Sequence, residues 1–283
     1  DIWYGKHPAR ILLAPLGRLY QACAWARRAA YASGLLNVYR APVPIIVVGN
    51  ISTGGTGKTP LVIWLARKLK DFGFQPGIVA RGYRGIAKNW PQQVRADSDP
   101  IAVGDEAVLL ARRTGLPVAV GPNRCMAVIA LRKHSGVNII ISDDGLQHYA
   151  LARDIEIAVV DGIRRFGNGA CLPAGPLREP ASRLDWVDLI VTNGLARRGE
   201  FSMRYLADRV HRLADAQSSE TFETFEPKVV HAVAGIGNPE RFFALLKRNG
   251  FRITPHSFPD HHRYVADDFA FGDEQPVLMT EKD

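Results

Sequence analysis

The chain has 283 residues, of which 47% are hydrophobic and 23% are charged, and its formal net charge at pH 7 is +8. This composition indicates a globular protein of one large or two modest domains with a substantial core. The basic excess favours an anionic partner. The chain lacks the interleaved aromatic and basic residues that indicate nucleic-acid binding, so we do not expect nucleic acid as a partner. The cysteines Cys23, Cys125 and Cys171 lie far apart, which excludes the usual zinc and disulfide spacings and favours a reducing compartment.

The first 40 residues carry six basic side chains and one aspartate among many aliphatic and aromatic residues. Arginines interrupt every apolar run, so no uncharged span reaches the roughly 18 residues of a transmembrane helix. A signal peptide does not fit either, because the arginines continue through the region where an apolar core belongs. A basic amphipathic helix at a membrane surface fits this pattern, and a terminal helix packed on its own domain is the alternative.

Strands and helices alternate after Pro44, which predicts an α/β fold with a mostly parallel sheet and helices on both faces. The predicted strands are 44–48, 78–80, 117–120, 137–142, 155–160 and 186–192, and the predicted helices are 58–71, 105–113 and 123–134. Polar side chains collect at the carboxyl ends of these strands, where such sheets bind ligands. They are Asn50, Arg81, Asp143, Asp144, Asp161 and Asn193.

A glycine-rich turn follows the first strand, where residues 49–59 read Gly-Asn-Ile-Ser-Thr-Gly-Gly-Thr-Gly-Lys-Thr. The pattern is typical of a phosphate-binding loop (P-loop), whose amides and following helix N-terminus cradle a triphosphate. In such a loop Lys58 reaches the β/γ-phosphates and the Thr59 hydroxyl binds Mg²⁺. Ser52 replaces the first glycine of the pattern, and three later glycines still supply the flexibility that the loop needs. An ordinary turn before a helix is the alternative.

Two acids, Asp143 and Asp144, end the predicted strand 137–142. A P-loop site needs a carboxylate at such a strand end, to hold Mg²⁺ directly or through water, so we predict a metal role. A turn built on Asp-Gly chemistry is the alternative, and it fits equally well for Asp161. Asp105 and Glu106 begin a predicted helix, where acids also occur because they complement the helix dipole.

Two further motifs are ambiguous by themselves. Arg81 and Arg84 lie among glycines, an arrangement that suits either phosphate binding or a solvated loop. His261 and His262 are adjacent, and adjacent histidines do not share a face, so they do not by themselves indicate a metal site.

The polar stretch 211–227 is predicted to be a linker between a P-loop domain over residues 41–210 and a smaller C-terminal α/β domain over residues 228–283. In the smaller domain we predict strands at 229–236, 251–253 and 276–280, and a helix from Asn238-Pro239 to about Arg248. The chain begins without methionine and stops directly after an apolar run. We therefore expect both ends to be trimmed and the C-terminal domain to be truncated.

Together these motifs resemble the tetraacyldisaccharide 4′-kinases of lipid A biosynthesis. The matching segments span nearly the whole chain in family order, and the combination is far more specific than a P-loop alone. They are residues 40–44, 48–50, 54–60, 81–83, 104–106, 143–148, 161–162, 165–169, 172–176, 178–179 and 279–283. A residue other than glycine at position 52 is usual in the family. Family members continue past the Thr-Glu-Lys-Asp segment at which this sequence stops.

The resemblance implies a kinase that uses ATP and Mg²⁺ and transfers the γ-phosphate to the 4′-hydroxyl of tetraacyldisaccharide 1-phosphate, an anionic glycolipid. It implies two α/β/α domains with the nucleotide site between them. It also implies that residues 1–40 contain a helix on the cytoplasmic face of the inner membrane, in a peripheral or monotopic arrangement. We expect a monomer.

The resemblance also implies residue roles. Asp105 would accept the hydroxyl proton, His261 of the second domain would orient it with His262 as the rival, and Lys58 would hold the phosphates. The implied nucleotide-binding residues are Thr53, Gly54, Gly55, Thr56, Gly57, Lys58, Thr59, Gln147 and Glu179. The implied metal residues are Thr59, Glu106, Asp143 and Asp144. The implied acceptor-binding residues are Asn50, Arg81, Tyr83, His148 and Arg178.

Two other classes of protein share part of this pattern. A P-loop GTPase or ATPase switch of the metallochaperone or partitioning type has a similar loop, but the chain lacks an Asn-Lys-x-Asp signature and a Cys/His cluster. Thr53 also stands where partitioning ATPases carry a lysine. A non-catalytic, membrane-bound nucleotide sensor is the other class. ATP turnover that depends on a lipid acceptor distinguishes the kinase from both.

Overall fold

The computed structural model describes residues 2–5, 7–205, 209–215, 218–260 and 262–283. The chain divides into two compact units, residues 1–204 and residues 205–283. The first unit therefore ends a few residues before the predicted end of the P-loop domain, and the stretch predicted as a linker belongs to the second unit.

The first unit begins with helix α1 (Ala9–Ala32) and continues with alternating strands and helices. Its strands are β1 (Ile45–Gly49), β2 (Pro76–Ala80), β3 (Gln92–Val94), β4 (Val118–Val120), β5 (Ile139–Asp143), β6 (Ile155–Asp161), β7 (Leu189–Asn193) and β8 (Phe201–Met203). Its further helices are α2 (Lys58–Asp71), α3 (Pro100–Val103), α4 (Asp105–Thr114) and α5 (Arg124–His134), and a 3₁₀ helix (Ala181–Trp186) precedes β7.

These strands form one sheet in the order β3-β4-β2-β5-β1-β6-β7-β8. Neighbouring strands are parallel except β3 and β4, which are antiparallel. Strand β1 lies between β5 and β6, with Val48 opposite Asp143 and Gly49 opposite Ala158. The carboxyl ends of these strands therefore meet at one edge of the sheet, which is where open α/β sheets bind ligands.

Helices cover both faces of the sheet. Successive residues of a strand point to opposite faces, and Ile46 and Val48 belong to the core that includes α2 and α4. Ile45 and Val47 belong instead to the core that includes α5. All five residues of β1 are buried, as expected for a parallel strand between two helical layers. The predicted mostly parallel sheet with helices on both faces is confirmed.

Helix α1 packs on the first unit through one side. Gly17 is buried, and a Cβ placed there would lie 3.0 Å from both the Ala174 Cβ and the Cys171 carbonyl oxygen. Near the other end of the helix, the ring of Tyr31 lies 6.2 Å from the ring of Tyr149. The absence of a side chain at position 17 thus permits close contact between α1 and the loop after β6.

A second side of α1 is exposed and apolar. Leu12, Leu16 and Leu19 are 83%, 53% and 62% exposed, and their spacing puts them on one helical stripe. Within the described part of the chain, no helix is both long and apolar enough to cross a bilayer.

The second unit contains β9 (Arg209–His211), β10 (Ser219–Thr221), β11 (Val229–Ala234), α6 (Pro239–Arg248), β12 (Arg252–Ser257) and β13 (Val277–Met279). A 3₁₀ helix (Ala266–Phe269) precedes β13. Strands β12, β11 and β13 form a parallel sheet in that order, and β9 pairs with β10 in an antiparallel ladder. Val230, Phe243 and Leu246 are among the residues of its core.

The stretch predicted as a linker, residues 211–227, is structured in part. It includes β10 and also Phe222, which is buried and packs edge-on against Phe251 with ring centroids 5.5 Å apart. The burial of Phe222 could not be predicted from this polar composition, because a single buried ring among polar residues produces no apolar run. Strands β3 and β8 were also missed, since three residues are too few to show a period.

We expect Ile141→Ala to lower the free energy of unfolding by about 2–5 kcal/mol, because it leaves a cavity in a close-packed core. Ile141 is fully buried in β5, whereas Ile155 in β6 is 38% exposed. Ile155→Ala is therefore the matched control, with an expected change of about 1 kcal/mol or less. Urea unfolding measures both, and equal losses would contradict the described core.

Candidate functional site

The P-loop is held from inside by Asn50. Its side chain is fully buried, and its Nδ2 donates to Thr56 Oγ1 at 3.2 Å and to the Gly54 carbonyl at 3.4 Å. Asn193 at the end of β7 supports the same loop by donating from Nδ2 to the Thr56 carbonyl at 3.1 Å. Gly57 has a φ of 101°, a conformation that glycine adopts most readily, and α2 begins at the next residue.

Contacts from the loop after β6 fix the outer part of the P-loop. The Thr53 amide and hydroxyl donate to the Pro176 carbonyl at 2.8 and 3.2 Å. Arg164 donates to the Gly55 carbonyl at 2.6 Å and is itself held by Asp161 at 3.2 Å. Asp161 also accepts hydrogen bonds from the backbone N–H groups of Ile163 and Arg164. It therefore forms the turn that the sequence allowed as an alternative to a metal role.

Asp144 lies among cations at the end of β5. The Lys58 Nζ is 3.5 Å from Asp144 Oδ1, and Arg178 Nη1 contacts both carboxylate oxygens at 3.0 Å. Burial opposes the charged form, but Lys58 and Arg178 outweigh it and lower the pKa of Asp144 to about 2. The carboxylate is therefore ionised at neutral pH.

Asp143, the neighbouring acid, has a different environment. It is 3% exposed, and its Oδ1 has no hydrogen-bond partner among the residues that the structure describes. Burial and the nearby Glu106 carboxylate raise the pKa of Asp143 to about 7, although Lys58 opposes this shift. A buried carboxylate oxygen without a donor is costly, and a bound cation would offset that cost.

Arg124 links the acidic end of β5 to the end of β4, which is separated from β5 by β2 in the sheet. Its guanidinium is buried and donates to the carbonyls of Gly121, Asp143 and Asp144 at 3.0, 3.2 and 3.4 Å. The residue follows the helix cap Asn123 directly after β4. Its position at a strand end was the one available signal in the sequence, but one arginine at a helix start is not distinctive.

Asp105 and Glu106 begin α4, as predicted. The Glu106 amide donates to Asp105 Oδ1 at 2.7 Å. Gly104 before them has a φ of 94°, and a Cβ there would lie 2.7 Å from the Tyr83 carbonyl oxygen. The Arg81–Gly82–Tyr83 segment therefore contacts the turn that presents Asp105.

Gln147 and Glu179 lie next to Asn50, at the start of the P-loop. The Gln147 Nε2 donates to the Asn50 carbonyl at 3.1 Å and to Glu179 Oε2 at 2.8 Å. Glu179 is 4% exposed, and Tyr149 donates its hydroxyl hydrogen to Glu179 Oε1. Gln147 thus lies between the Glu179 carboxylate and the Asn50 backbone.

His148 borders a cavity of about 730 Å³, together with Tyr31, Asn123 and Cys125. The His148 Nε2 is 4.0 Å from Cys125 Sγ. Burial and the charges of nearby arginines, Arg124 first among them, lower the pKa of His148 to about 4. The imidazole is therefore neutral at pH 7.

In the second unit, His261 lies outside the described residues. Its neighbour His262 bonds through Nε2 to Asp268 Oδ2 at 2.9 Å. Asp260 pairs with Lys282 at 3.2 Å, and Asp283 accepts the Gly235 amide at 3.0 Å. Asp260 and the Thr-Glu-Lys-Asp segment are thus adjacent within this unit.

The first unit brings most of the predicted site residues to the edge formed by β1 and β5. They are Asn50, residues 53–59, Glu106, Asp143, Asp144, Gln147, Arg178 and Glu179. Two residues that were predicted to bind ligands are buried in the structure. The Asn50 side chain lies inside the loop, and the Glu179 carboxylate accepts from Gln147 and Tyr149. Arg124 and Arg164 were missed.

Comparison with known proteins identifies the family. The family model Tetraacyldisaccharide-1-P 4′-kinase (LpxK) matches residues 9–283. The tetraacyldisaccharide 4′-kinases of Nitrosococcus oceani and Aeromonas salmonicida are 56% and 51% identical to this chain over 281 and 288 residues. These matches cover 99% and 100% of this chain and 83% and 86% of the two relatives.

The chain belongs to the tetraacyldisaccharide 4′-kinase family. The crystal structure of LpxK from Aquifex aeolicus in complex with ATP matches with a TM-score of 0.79 and 29% identity, covering 97% of this chain and 89% of that one. The resemblance noted in the sequence is confirmed, and this kinase is a phosphotransferase of lipid A biosynthesis. The switch and sensor alternatives are not supported.

Replacing Arg124 by Met should lower the free energy of unfolding by about 3 kcal/mol, because three carbonyl groups lose a buried charged donor. Lys133→Met, on the exposed side of the same helix, should change it by about 0.5 kcal/mol or less. Chemical denaturation measures both variants. If they lost the same stability, Arg124 would not be the tie between the strand ends.

Proposed function

We propose that this kinase binds ATP and Mg²⁺ at the joint edge of β1 and β5 and presents them to the 4′-hydroxyl of the glycolipid acceptor. Lys58 and Arg178 both form ion pairs with Asp144, directly beside the P-loop, and these contacts are the main support for the proposal. A lysine and an arginine held at a glycine-rich turn suit the charge of a triphosphate.

ATP would lie with its phosphates over residues 53–57 and the N-terminus of α2. Lys58 would contact the β/γ-phosphates, and its 3.5 Å contact with Asp144 Oδ1 directs it along that edge. Gln147 would lie next to the bound nucleotide, because its side chain contacts the Asn50 carbonyl at the start of the P-loop.

The residues present fit Mg²⁺. Asp143 offers a buried carboxylate oxygen that receives no hydrogen bond from the described residues. Asp144, Thr59 and Glu106 add hard oxygen ligands, directly or through water. The described residues include no group of three or more His, Cys, Asp or Glu side chains that would hold a metal ion. Mg²⁺ is usually bound by one or two carboxylates together with substrate phosphates and water, so the three acids would not all bind it directly. When bound, it neutralises negative charge on the transferred group.

In the transfer step, Asp105 accepts the proton of the 4′-hydroxyl as its oxygen attacks the γ-phosphorus. The bond between that phosphorus and the β,γ-bridging oxygen breaks, and ADP leaves with the electron pair. His261 would orient Asp105, as the family motif implies. Arg81, Tyr83, His148 and Arg178 would contact the acceptor, and the neutral His148 would do so as a hydrogen-bonding group.

Helix α1 would place the enzyme on its lipid substrate. Its exposed leucine stripe and the basic residues of the first 40 positions suit an anionic bilayer surface. We propose peripheral or monotopic binding at the cytoplasmic face of the inner membrane, by a monomer.

Asp105→Asn should reduce kcat by about 10²–10⁴-fold, since it removes the general base and keeps its shape. The assay follows transfer from ATP to tetraacyldisaccharide 1-phosphate with Mg²⁺. The matched control is Asp99→Asn, because Asp99 caps α3 and asparagine caps a helix equally well. Full turnover by Asp105→Asn would exclude Asp105 as the base, and turnover by the parent enzyme without acceptor would contradict the proposed reaction.

Replacing Leu12, Leu16 and Leu19 together by Ser should weaken binding to anionic vesicles by at least about tenfold, because each buried leucine contributes about 1.5–3 kcal/mol. Leu35→Ser with Leu36→Ser is the control, since these exposed leucines lie beyond α1. Vesicle flotation measures the bound fraction. Equal binding of the triple variant and the parent would remove the stripe from the membrane contact.

A further inference from the structure

Glu179 is a buried carboxylate with a defined donor at each oxygen. Gln147 Nε2 donates to its Oε2 at 2.8 Å, and the Tyr149 hydroxyl donates to its Oε1. Arg183 lies farther away, with its Nε 3.9 Å from Oε1. The two hydrogen bonds therefore determine how the carboxylate is oriented.

The same geometry determines the orientation of Gln147. A glutamine amide has two N–H hydrogens, and here one bonds to Glu179 and the other to the Asn50 carbonyl. Rotating the amide by half a turn would place its oxygen against both acceptors. Asn50 holds Gly54 and Thr56 from inside the P-loop. The orientation of Glu179 therefore affects the phosphate-binding backbone through Gln147 and Asn50.

Tyr149 is a fixed donor in this hydrogen-bond series, which joins Tyr149, Glu179, Gln147 and Asn50. Its hydroxyl oxygen accepts from Arg183 Nε at 3.3 Å, so its own hydrogen is left for Glu179. Arg183 is 2% exposed and is held by Glu156 at 2.6 Å. Burial, with the Glu179 charge, raises the pKa of Tyr149 to about 12, which keeps the hydroxyl protonated at neutral pH.

The ring of Tyr149 has a second contact. It lies 6.2 Å from the ring of Tyr31 near the end of α1, and the Arg153 guanidinium lies 5.3 Å from its centroid. Tyr149 therefore stands between the helix with the exposed leucine stripe and the residues that support the P-loop.

We propose that Tyr149 is a positioning residue for phosphoryl transfer. It orients Glu179 and Gln147 next to the P-loop, and its ring packs these residues against α1. This inference rests on the proposed function. Tyr149 acts on the reaction only through the loop, so its loss should affect alignment of the phosphates more than binding of either substrate.

The test uses the full chain with ATP, Mg²⁺ and tetraacyldisaccharide 1-phosphate in anionic vesicles. Tyr149→Phe keeps the ring and removes the donor, and we expect kcat to fall about tenfold with the acceptor KM and vesicle binding unchanged. Tyr39→Phe is the matched control, because Tyr39 packs on the same face of the sheet and lies outside this hydrogen-bond series. It should keep the parent kcat.

A double-mutant cycle distinguishes positioning from general damage. If Tyr149 acts through Gln147, the double variant Tyr149→Phe, Gln147→Ala should have the same kcat as Gln147→Ala alone. Glu179→Gln, a second route into the same series, should also lower kcat about tenfold. Additive losses, or a parent-like kcat in Tyr149→Phe, would overturn the proposal. A parent enzyme without acceptor-dependent turnover would contradict the proposed function instead.

Discussion

The site depends on the parallel pairing of β1 with β5. This pairing puts Val48 opposite Asp143, so the P-loop and the two acids leave the sheet side by side. A shift of the register by one residue would turn Asp143 to the opposite face, because strand side chains alternate. The apolar residues on both sides of β1 resist such a shift, since each face is buried under its own helices. Core packing and placement of the site are therefore the same constraint.

The second requirement is charge balance among buried groups. Asp143, Asp144 and Glu106 lie near each other, and Lys58, Arg124 and Arg178 approach them from three different elements. Removing one member of such a group leaves its partner buried and unpaired, which costs more than the pair itself contributes. Contacts with protein groups hold these cations in position, so little reorganisation is needed when a phosphoryl group becomes more negative. The raised pKa of Asp143 marks the position where a further cation would complete the balance.

Local patterns allowed much of this structure to be predicted. Glycines, Lys58 and Thr59 follow a β-branched run within a single segment, and the bounds of α2 were predicted to the residue. Arg124 and Arg164 were missed because their partners are backbone carbonyls, Asp143 and Gly55 among them, that only the folded sheet brings within reach. The buried position of Glu179 was hidden for the same reason. The polar stretch with Phe222 shows the opposite error, since composition indicated a linker where a ring anchors a hairpin.

We propose that the end of β5, and not the end of β6, carries the phosphoryl-transfer chemistry. Asp143 and Asp161 are both buried aspartates at strand ends, but Asp161 is occupied by its own turn and by Arg164. The most direct measurement is kcat for transfer from ATP to tetraacyldisaccharide 1-phosphate in Asp143→Asn and Asp161→Asn. We expect a loss of about 10²-fold or more for Asp143→Asn, and a change of about a few fold for Asp161→Asn. Equal losses, or the larger loss in Asp161→Asn, would contradict this proposal.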